Sequence, residues 1–231
     1  MPEPGGRIGA VVVAGGSGRR FADAGPRKQY RLLGERPLLM WAITPFISHP
    51  AIDEVVVVLP ADDLDTPPEW LRDLPVDLIG GGTERADSVF AGLGALSLPE
   101  RVLVHDGARP LVSRELIGRV LAGDPSGGVV PGVRVTDTLK EVGSEGLVVA
   151  TPPRERYWRA QTPQAFPLVT LLQLHDRARS EGFAMTDDAA LFEHYGYDVR
   201  MVEGDDANIK VTTSVDLALA DLLLKARQPA G

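Results

Sequence analysis

The length, composition and charge of the chain exclude several classes of protein. Its 231 residues are 44% hydrophobic, which is enough for one large α/β domain with a buried core. The sequence contains no cysteine, so disulfides, thiolate metal sites and thiol nucleophiles are excluded. The formal net charge of -8 argues against broad electrostatic binding to nucleic acid or to an anionic membrane, so an anionic ligand needs a local basic cluster.

The N-terminus carries no recognisable targeting signal. It reads MPEPGGRIG, without the basic and apolar regions of a secretory signal peptide. No apolar run in the sequence approaches the length of a membrane span. We therefore expect a soluble, cytoplasmic protein with no nucleic-acid or membrane partner.

Short β-branched runs alternate with helical patterns along the chain. Residues 8–14 and 54–59 are apolar on both faces, as buried parallel strands are. This alternation predicts an α/β fold with helices on both faces of the sheet and ligands at the carboxyl ends of the strands. The further predicted elements are strands at 76–79, 101–105, 128–133 and 198–202, and helices at 38–47, 85–98, 113–122 with Ser113 as N-cap, from Thr186 onward, and 214–226.

Residues 136–158 interrupt this alternation. They predict two short strands around a turn at 143–146, closed by Pro152 and Pro153. Because the segment has little apolar surface to bury in its own domain, we interpret it as an arm that embraces a second subunit; a mobile surface hairpin is the alternative. No composition shift marks a linker, so we expect one domain over residues 1–231 with a β-arm at 134–159.

A glycine-rich turn, AGGSGRRF at 14–21, follows the first strand. Its backbone N–H groups can approach phosphate oxygens without hindrance from side chains. A dinucleotide fingerprint needs a third glycine, and a P-loop needs Gly-Lys-Ser/Thr, whereas Arg19 and Arg20 stand here. The turn therefore favours a triphosphate site built from backbone and charge over an NAD-dependent oxidoreductase, and a turn without function is the alternative.

The segment GPRKQY at 25–30 adds Arg27 and Lys28 to these arginines. Several cations around one polyphosphate would stabilise charge on the reacting phosphorus and on departing pyrophosphate. Ordinary surface basic residues are the alternative interpretation.

Two further motifs follow predicted strands. In GGGTERADSV at 80–89, the glycines and the hydroxyls of Thr83 and Ser88 are suited to a nucleobase or ribose, although Thr83 could simply cap a helix. In VHDGARP at 104–110, Asp106 is placed to hold a divalent ion that bridges phosphates, or else to form an internal ion pair with Arg109. We interpret His105 as structural, because the sequence shows no nucleophile for it to activate.

Polar residues later in the chain suit a phosphorylated polyol. They supply hydroxyl donors and cations, and neither a Ser-His-Asp order nor a metal-spaced histidine cluster accompanies them. Covalent catalysis is therefore not expected. The residues are Thr138, Arg154, Thr162, Thr186 and Lys210.

The ordered motifs AGGSGRR, PRKQY, GGTERADSV, VHDGARP, TDTLK, AQTPQAF, TDDA and NIKVT extend from residue 14 to 212. Each one is widespread among sugar nucleotidyltransferases. Their combination in this order resembles the 2-C-methyl-D-erythritol 4-phosphate cytidylyltransferase family and its ribitol-phosphate relatives.

The resemblance implies a Rossmann-like mixed, mostly parallel sheet of the nucleotide-diphospho-sugar transferase type and a homodimer joined by the arm. It further implies cytidylyl transfer from CTP to a polyol phosphate, assisted by Mg²⁺, in non-mevalonate isoprenoid biosynthesis. Ribitol 5-phosphate as the acceptor, or a non-catalytic nucleotide-binding module, are the alternatives. Since the sequence ends at residue 231, we expect no fused second enzyme.

The resemblance also assigns roles to individual residues. Arg20 and Lys28 would stabilise the five-coordinate α-phosphorus, with Asp106 near Mg²⁺ and the acceptor. The triphosphate would lie on Ala14, Gly15, Gly16, Ser17 and Gly18, and the cytidine against Gly82 and Ser88. The polyol phosphate would contact Arg109, Thr138, Thr162, Thr186 and the catalytic Lys210, and Arg154 would reach it from the other subunit.

The chain departs from the family pattern at two positions. Gly15 stands where the family usually has alanine, and this exchange widens access to the backbone. An additional residue also separates Pro26 from Lys28. We assign the catalytic role to Lys28 because Gln29 and Tyr30 follow it, with Arg27 as the alternative.

Overall fold

The computed structural model describes residues 6–15 and 26–227. Its strands are β1 Ile8–Val13, β2 Leu32–Leu33, β3 Arg36–Pro37, β4 Glu54–Leu59, β5 Asp77–Gly80, β6 Arg101–Asp106, β7 Gly128–Arg134, β8 Glu141–Val142, β9 Val148–Ala150, β10 Trp158–Ala160, β11 Gln164–Pro167 and β12 Val199–Glu203. Its helices are α1 Leu38–Ile47, α2 Ala61–Leu64, α3 Glu69–Arg72, α4 Arg85–Gly94, α5 Arg114–Leu121, α6 Leu168–Glu181, α7 Ala189–His194 and α8 Ser214–Arg227, with 3₁₀ turns at Lys28–Tyr30 and Arg154–Arg156.

An eight-stranded mixed sheet lies at the centre of the fold. Its order is β10-β7-β11-β6-β1-β4-β5, and β12 pairs with β7. Strands β6, β1, β4 and β5 are parallel to one another, whereas β11 runs antiparallel between β6 and β7. This arrangement confirms the predicted mixed, mostly parallel α/β fold. Within the described ranges, no helix has the length and apolar character needed to cross a membrane.

Alternate side chains of the central strands are buried on opposite faces of the sheet. Ala10 and Val12 of β1 lie in one core cluster with residues of α1 and α5, which we call the α1/α5 core. Val11 lies in a second cluster with residues of α4, α6 and α7. All three are completely buried, and full burial of one valine side chain contributes about 1.5–3 kcal/mol. The strands are thus held on both faces, and the loops at their carboxyl ends start from fixed positions.

The predicted strands and most predicted helices are present, with shifted ends. Ser113 accepts a hydrogen bond from the Leu116 amide (3.1 Å) and begins α5 as predicted. The helix predicted over 85–98 ends at Gly94, and Leu98 has a left-handed φ of 55°. The helix predicted from Thr186 begins at Ala189, so the predicted start lies about one helical turn too early in the sequence. Helix α6 and strands β10 and β11 were missed.

The predicted hairpin is present between β7 and β10. Strands β8 and β9 pair only with each other among the described strands, and Gly146 adopts a left-handed φ of 79° in the turn. A side chain at that φ would be strained, which explains the glycine. Its apolar side chains are exposed rather than packed on the sheet: Val142, Leu147, Val148 and Val149.

Candidate active site

A cleft opens at the carboxyl ends of β1, β5 and β6. Such ends are where open α/β sheets bind their ligands. Backbone bonds from Ala14 to Val58 (2.8 Å) and from Gly107 to Val13 (2.9 Å) fix the loops that leave β1 and β6. The cleft is lined by Val13, Ala14, Gly15, Lys28, Gln29, Gly82, Thr83, Glu84, Arg85, Ser88, Asp106, Gly107, Ala108 and Lys210.

Asp106 ends β6 as a buried carboxylate between two cations. Its Oδ2 accepts from Lys210 Nζ at 2.7 Å, and its Oδ1 accepts from Arg85 Nε at 3.1 Å. Burial alone favours the neutral acid, but the charges of Arg85 and Lys210 hold the pKa of Asp106 below its ordinary value. Asp106 and Lys210, both predicted as site residues, are thus brought together although they lie 104 positions apart in the sequence.

Arg85 connects this carboxylate to a second one. Its Nη1 donates to Asp188 Oδ2 at 2.8 Å, and Asp188 Oδ1 lies 3.1 Å from His175 Nε2. Asp188 is completely buried. Burial opposes its ionisation, but the charge of Arg85 and the hydrogen bond from His175 lower the pKa of Asp188. Arg85 and Asp188 were not singled out from the sequence, although both lie inside quoted motifs, GGGTERADSV and TDDA.

His105 and Thr162 form a hydrogen-bonded chain behind Asp106. The Asp106 amide donates to Thr162 Oγ1 (3.0 Å), which lies 3.0 Å from His105 Nδ1. His105 Nε2 lies 3.1 Å from the Arg109 carbonyl. Because a carbonyl only accepts, Nε2 carries the proton and Nδ1 accepts from the Thr162 hydroxyl. Burial lowers the pKa of His105 to about 4, so the ring is neutral near pH 7.

These contacts agree with a structural role for His105, and they place the Thr162 hydroxyl inside the fold, where the residue is 4% exposed. Arg109 Nη1 and Nη2 donate to the carbonyls of Asn208 (2.8 Å) and Ala160 (3.3 Å). The alternative ion pair between Asp106 and Arg109 is therefore wrong, since the carboxylate is hydrogen-bonded by Lys210 and Arg85 instead.

Lys28 and Arg27 point to different surroundings. Lys28 lines the cleft. Arg27 forms ion pairs at 3.3 Å with both Asp62 and Asp63, which belong to α2 beyond β4. The structure thus favours Lys28 over the additional residue Arg27 as the cation that faces a bound ligand.

Ser88 lies between two glycine-containing segments of the cleft. Its hydroxyl donates to the Glu84 carbonyl at 3.1 Å. A Cβ added at Gly15 would lie 3.0 Å from Ser88 Oγ, and one added at Gly81 would lie 2.6 Å from it. A side chain at position 15 would therefore require the Ser88 hydroxyl to move by a few tenths of an ångström. Helix α4 follows Glu84, whose amide donates to Asp87 (3.2 Å), so Thr83 is not its cap.

The remaining predicted residues lie elsewhere or outside the described ranges. Thr138, Arg154 and Thr186 are exposed and do not line the cleft. Arg154, beyond the hairpin, donates to the Thr136 carbonyl at 2.6 Å. Four predicted residues, Gly16, Ser17, Gly18 and Arg20, lie outside the described residues.

The cleft provides few ligands for a divalent cation. Residues 6–15 and 26–227 contain no group of three or more histidine and acidic side chains that could form a protein-only site. Asp106 is ionised, and within the described part of the chain two hydrogen bonds, from Lys210 and Arg85, reach its four lone-pair positions. Mg²⁺ commonly takes one or two carboxylates together with substrate phosphates, so Asp106 fits as the protein ligand of such an ion.

The sequence was compared with protein families and with individual proteins. The sequence model of the 2-C-methyl-D-erythritol 4-phosphate cytidylyltransferase family matches residues 8–226. The chain is 45% identical over 225 residues to a bifunctional enzyme IspD/IspF of Desulforudis audaxviator, covering 93% of this chain and 56% of that enzyme. It therefore spans little more than half of that relative. A 2-C-methyl-D-erythritol 4-phosphate cytidylyltransferase of Thermosynechococcus vestitus is 42% identical, with 94% of this chain and 95% of the relative covered.

Solved structures show the same relationship. A 4-diphosphocytidyl-2C-methyl-D-erythritol synthase of Anaerococcus prevotii superposes with a TM-score of 0.84 at 31% identity, covering 96% of this chain and 100% of the other. A 2-C-methyl-D-erythritol 4-phosphate cytidylyltransferase of Thermus thermophilus gives a TM-score of 0.77 at 36% identity, covering 93% and 98%. With a family match over nearly all of its length, the chain belongs to the 2-C-methyl-D-erythritol 4-phosphate cytidylyltransferase family.

Proposed function

We propose that the chain transfers the cytidylyl group of CTP to 2-C-methyl-D-erythritol 4-phosphate, giving 4-diphosphocytidyl-2-C-methyl-D-erythritol and pyrophosphate. Membership of the family supports this activity. The observation that carries it is the cleft itself, where Lys28, Lys210 and the ionised Asp106 line one space at the carboxyl edge of the parallel strands, with Lys210 hydrogen-bonded to Asp106. In a chain of net charge -8, this local cluster of cations suits a polyphosphate.

The proposed reaction is a direct in-line displacement. An oxygen of the acceptor phosphate attacks the α-phosphorus of CTP and forms the new P–O bond, and the bond to the β-phosphate oxygen breaks with its electron pair leaving on pyrophosphate. The attacking oxygen is already an anion, so no strong general base is needed. The enzyme has to orient both phosphates and to stabilise the charge that develops.

We assign this stabilisation to named residues. Lys28, together with Arg20 from the glycine-rich turn, would neutralise the five-coordinate phosphorus. Lys210 would act on the acceptor side, where its hydrogen bond to Asp106 fixes the position of its ammonium group. Ala14, Gly15, Gly16, Ser17 and Gly18 are proposed for the triphosphate, Gly82 and Ser88 for cytidine, and Arg109, Thr138, Arg154, Thr162 and Thr186 for the polyol phosphate.

We propose Mg²⁺ as the cofactor and Asp106 as its protein ligand. The ion would supply charge neutralisation across the phosphates. Asp106 contributes a carboxylate that two neighbouring cations keep ionised.

We further propose a single domain that forms a homodimer through residues 134–159. The exposed apolar side chains of the hairpin support this, because Val148 and Val149 are 58% and 67% exposed on one protomer. Thr138 and Arg154 lie on the same segment, so the arm could carry them to a cleft on the partner subunit. A cytoplasmic location follows from the proposed substrate CTP and is tested by cell fractionation.

Pyrophosphate release is the test of the proposed reaction. The protein is incubated with CTP and Mg²⁺ and with either 2-C-methyl-D-erythritol 4-phosphate or ribitol 5-phosphate, and ATP, GTP and UTP replace CTP as controls. We expect pyrophosphate release from the pair of CTP and 2-C-methyl-D-erythritol 4-phosphate and from none of the other pairs. Preference for ribitol 5-phosphate would refute the assigned acceptor, and CTP binding without release from any pair would refute catalysis.

A further inference from the structure

The 3₁₀ turn that carries Lys28 is attached to the fold on two sides. On one side the buried Gln29 amide donates to the Ala14 carbonyl at 3.1 Å, at the end of β1. On the other side Tyr30 lies against the α1/α5 core with its ring, and its hydroxyl donates to Asp63 Oδ2 at 2.7 Å. Lys28 therefore sits next to two side chains whose positions are fixed by the sheet and by α2.

Asp63 receives two donors from this turn. Its Oδ2 accepts from Tyr30 and its Oδ1 pairs with Arg27 Nε at 3.3 Å, so one carboxylate holds the residues on either side of Lys28 and Gln29. The Asp63 side chain is 18% exposed, whereas that of its neighbour Asp62 is 86% exposed and pairs with Arg27 at 3.3 Å. Burial and the nearby Asp63 raise the pKa of Tyr30, so its hydroxyl remains a donor at every physiological pH.

Asp63 is itself anchored to the sheet. Helix α2 begins directly after β4 and Pro60, and the Asp63 amide donates to the Pro60 carbonyl at 2.9 Å. The turn that carries Lys28 is thus linked to the end of β1 through Gln29, and through Tyr30 and Asp63 to α2, which begins just after β4.

We propose that Asp63 is a positioning residue for the reaction, holding the Lys28 ammonium group in the cleft through Tyr30 and Arg27. The inference rests on the proposed function, because it presumes that Lys28 acts on the phosphates of CTP. In this proposal Arg27 also has a structural role, because its guanidinium is the second donor to the Asp63 carboxylate. A catalytic cation must be held accurately, since a displacement of about 1 Å can cost about 10²-fold in rate.

The matched variants Asp63→Ala and Asp62→Ala test this proposal. We expect Asp63→Ala to lower kcat about tenfold, with a much smaller change in KM for CTP and an unaltered circular dichroism spectrum. Asp62→Ala, which removes an adjacent and highly exposed carboxylate, should keep kcat within about twofold of the starting enzyme. Tyr30→Phe is the second variant, because it deletes only the hydroxyl that reaches Asp63, and it should also lower kcat.

A Lys28→Ala background separates positioning from general damage. In single turnovers with enzyme in excess, adding Asp63→Ala to Lys28→Ala should change the rate less than twofold. Equal losses in both backgrounds, or full activity of both Asp63→Ala and Tyr30→Phe, would overturn the proposal. An unaltered enzyme that releases no pyrophosphate would refute the proposed function instead, so the two failures are distinguishable.

Discussion

The cleft and the arm use their side chains in opposite ways. Around Asp106, each charged group is held by partners from distant parts of the chain, and the carboxylates are nearly or completely buried. In the hairpin of β8 and β9, the apolar side chains are exposed and the contacts are local. The difference indicates that the charged groups around Asp106 are held within one protomer, whereas the arm presents the exposed apolar surface that we propose as the contact with a second subunit.

The largest expected effect is a loss of folding stability when the buried Asp188, which lies between Arg85 and His175, is changed. Replacing Asp188 by Asn removes the negative charge between Arg85 and His175, and loss of one partner of a buried pair costs about 3–5 kcal/mol of folding free energy. Asp176→Asn, an exposed change directly after His175 on α6, should leave the free energy of unfolding within about 0.5 kcal/mol of its original value. Urea denaturation of both variants measures the difference. Equal stability of the two would show that the network is not preorganised by this pair.

The next largest expected effect is the loss of turnover when Lys28, which lines the cleft, is replaced. Lys28→Ala should lower turnover about 10²–10³-fold while leaving the fold intact, as loss of one preorganised charge contact typically does. Arg27→Ala is the matched control and should cost no more than about tenfold, because Arg27 faces α2 rather than the cleft. Steady-state pyrophosphate release measures both. Arg20→Ala should resemble Lys28→Ala, and a larger loss with Arg27→Ala would reverse the assignment.

The buried histidine predicts how stability depends on pH. His105 has a pKa of about 4 in the folded chain and an ordinary value of about 6.5 when unfolded. The unfolded chain therefore binds this proton first, and about 3 kcal/mol of stability, present above pH 6.5, is lost as the pH falls towards 4. The lowered pKa values of Asp106 and Asp188 cause further loss only below about pH 4.

Denaturation curves between pH 4 and 7 test this for the unaltered chain and for His105→Gln. His105→Gln should weaken the dependence of the free energy of unfolding on pH in this range. His49, whose pKa burial and Arg114 lower, is present in both proteins and cancels in the comparison. If the free energy of unfolding changed equally with pH in both proteins, His105 would not be the buried neutral group that causes the dependence.

The smallest effect on the protomer is expected in the arm. Val149→Asp places a charge on the exposed hairpin and should change the stability of the protomer by less than about 0.5 kcal/mol, yet convert a dimer to a monomer in sedimentation. Val169→Asp, at a similarly exposed valine on α6, should leave the dimer intact. A dimer that persists in Val149→Asp would contradict the proposal that the arm forms the contact with a second subunit.

The sequence predicts those parts of the fold whose signals are local. The β-branched runs at 8–14 and 54–59 correspond to β1 and β4 because such side chains fill both faces of a buried sheet. Helix α6 was missed although Leu168, Leu171 and Leu174 repeat at helical spacing and are buried on one face. Its signal was present and could have been found.

Other features depend on contacts that no local pattern reveals. Strand β11 is only four residues long, QAFP, and ends in proline, so its place between β6 and β7 decides that it is a strand. The role of Arg85 depends on Asp188, 103 residues further along the chain. The Thr162 hydroxyl, which we propose for the polyol phosphate, accepts from the amide of Asp106, 56 residues earlier in the chain, and lies 3.0 Å from His105 Nδ1.

The hydrogen bond between Gln29 and Ala14 has a consequence for how this family can vary. It joins two residues that lie 15 positions apart in the sequence, and any such contact closes a loop of chain in the entropic sense. Doubling the length of such a loop adds only about 0.6 kcal/mol of closure entropy, so insertions and deletions within it are thermodynamically inexpensive. We interpret Arg27, the additional residue expected from the family pattern, as one such change, which the hydrogen bond between Gln29 and Ala14 tolerates.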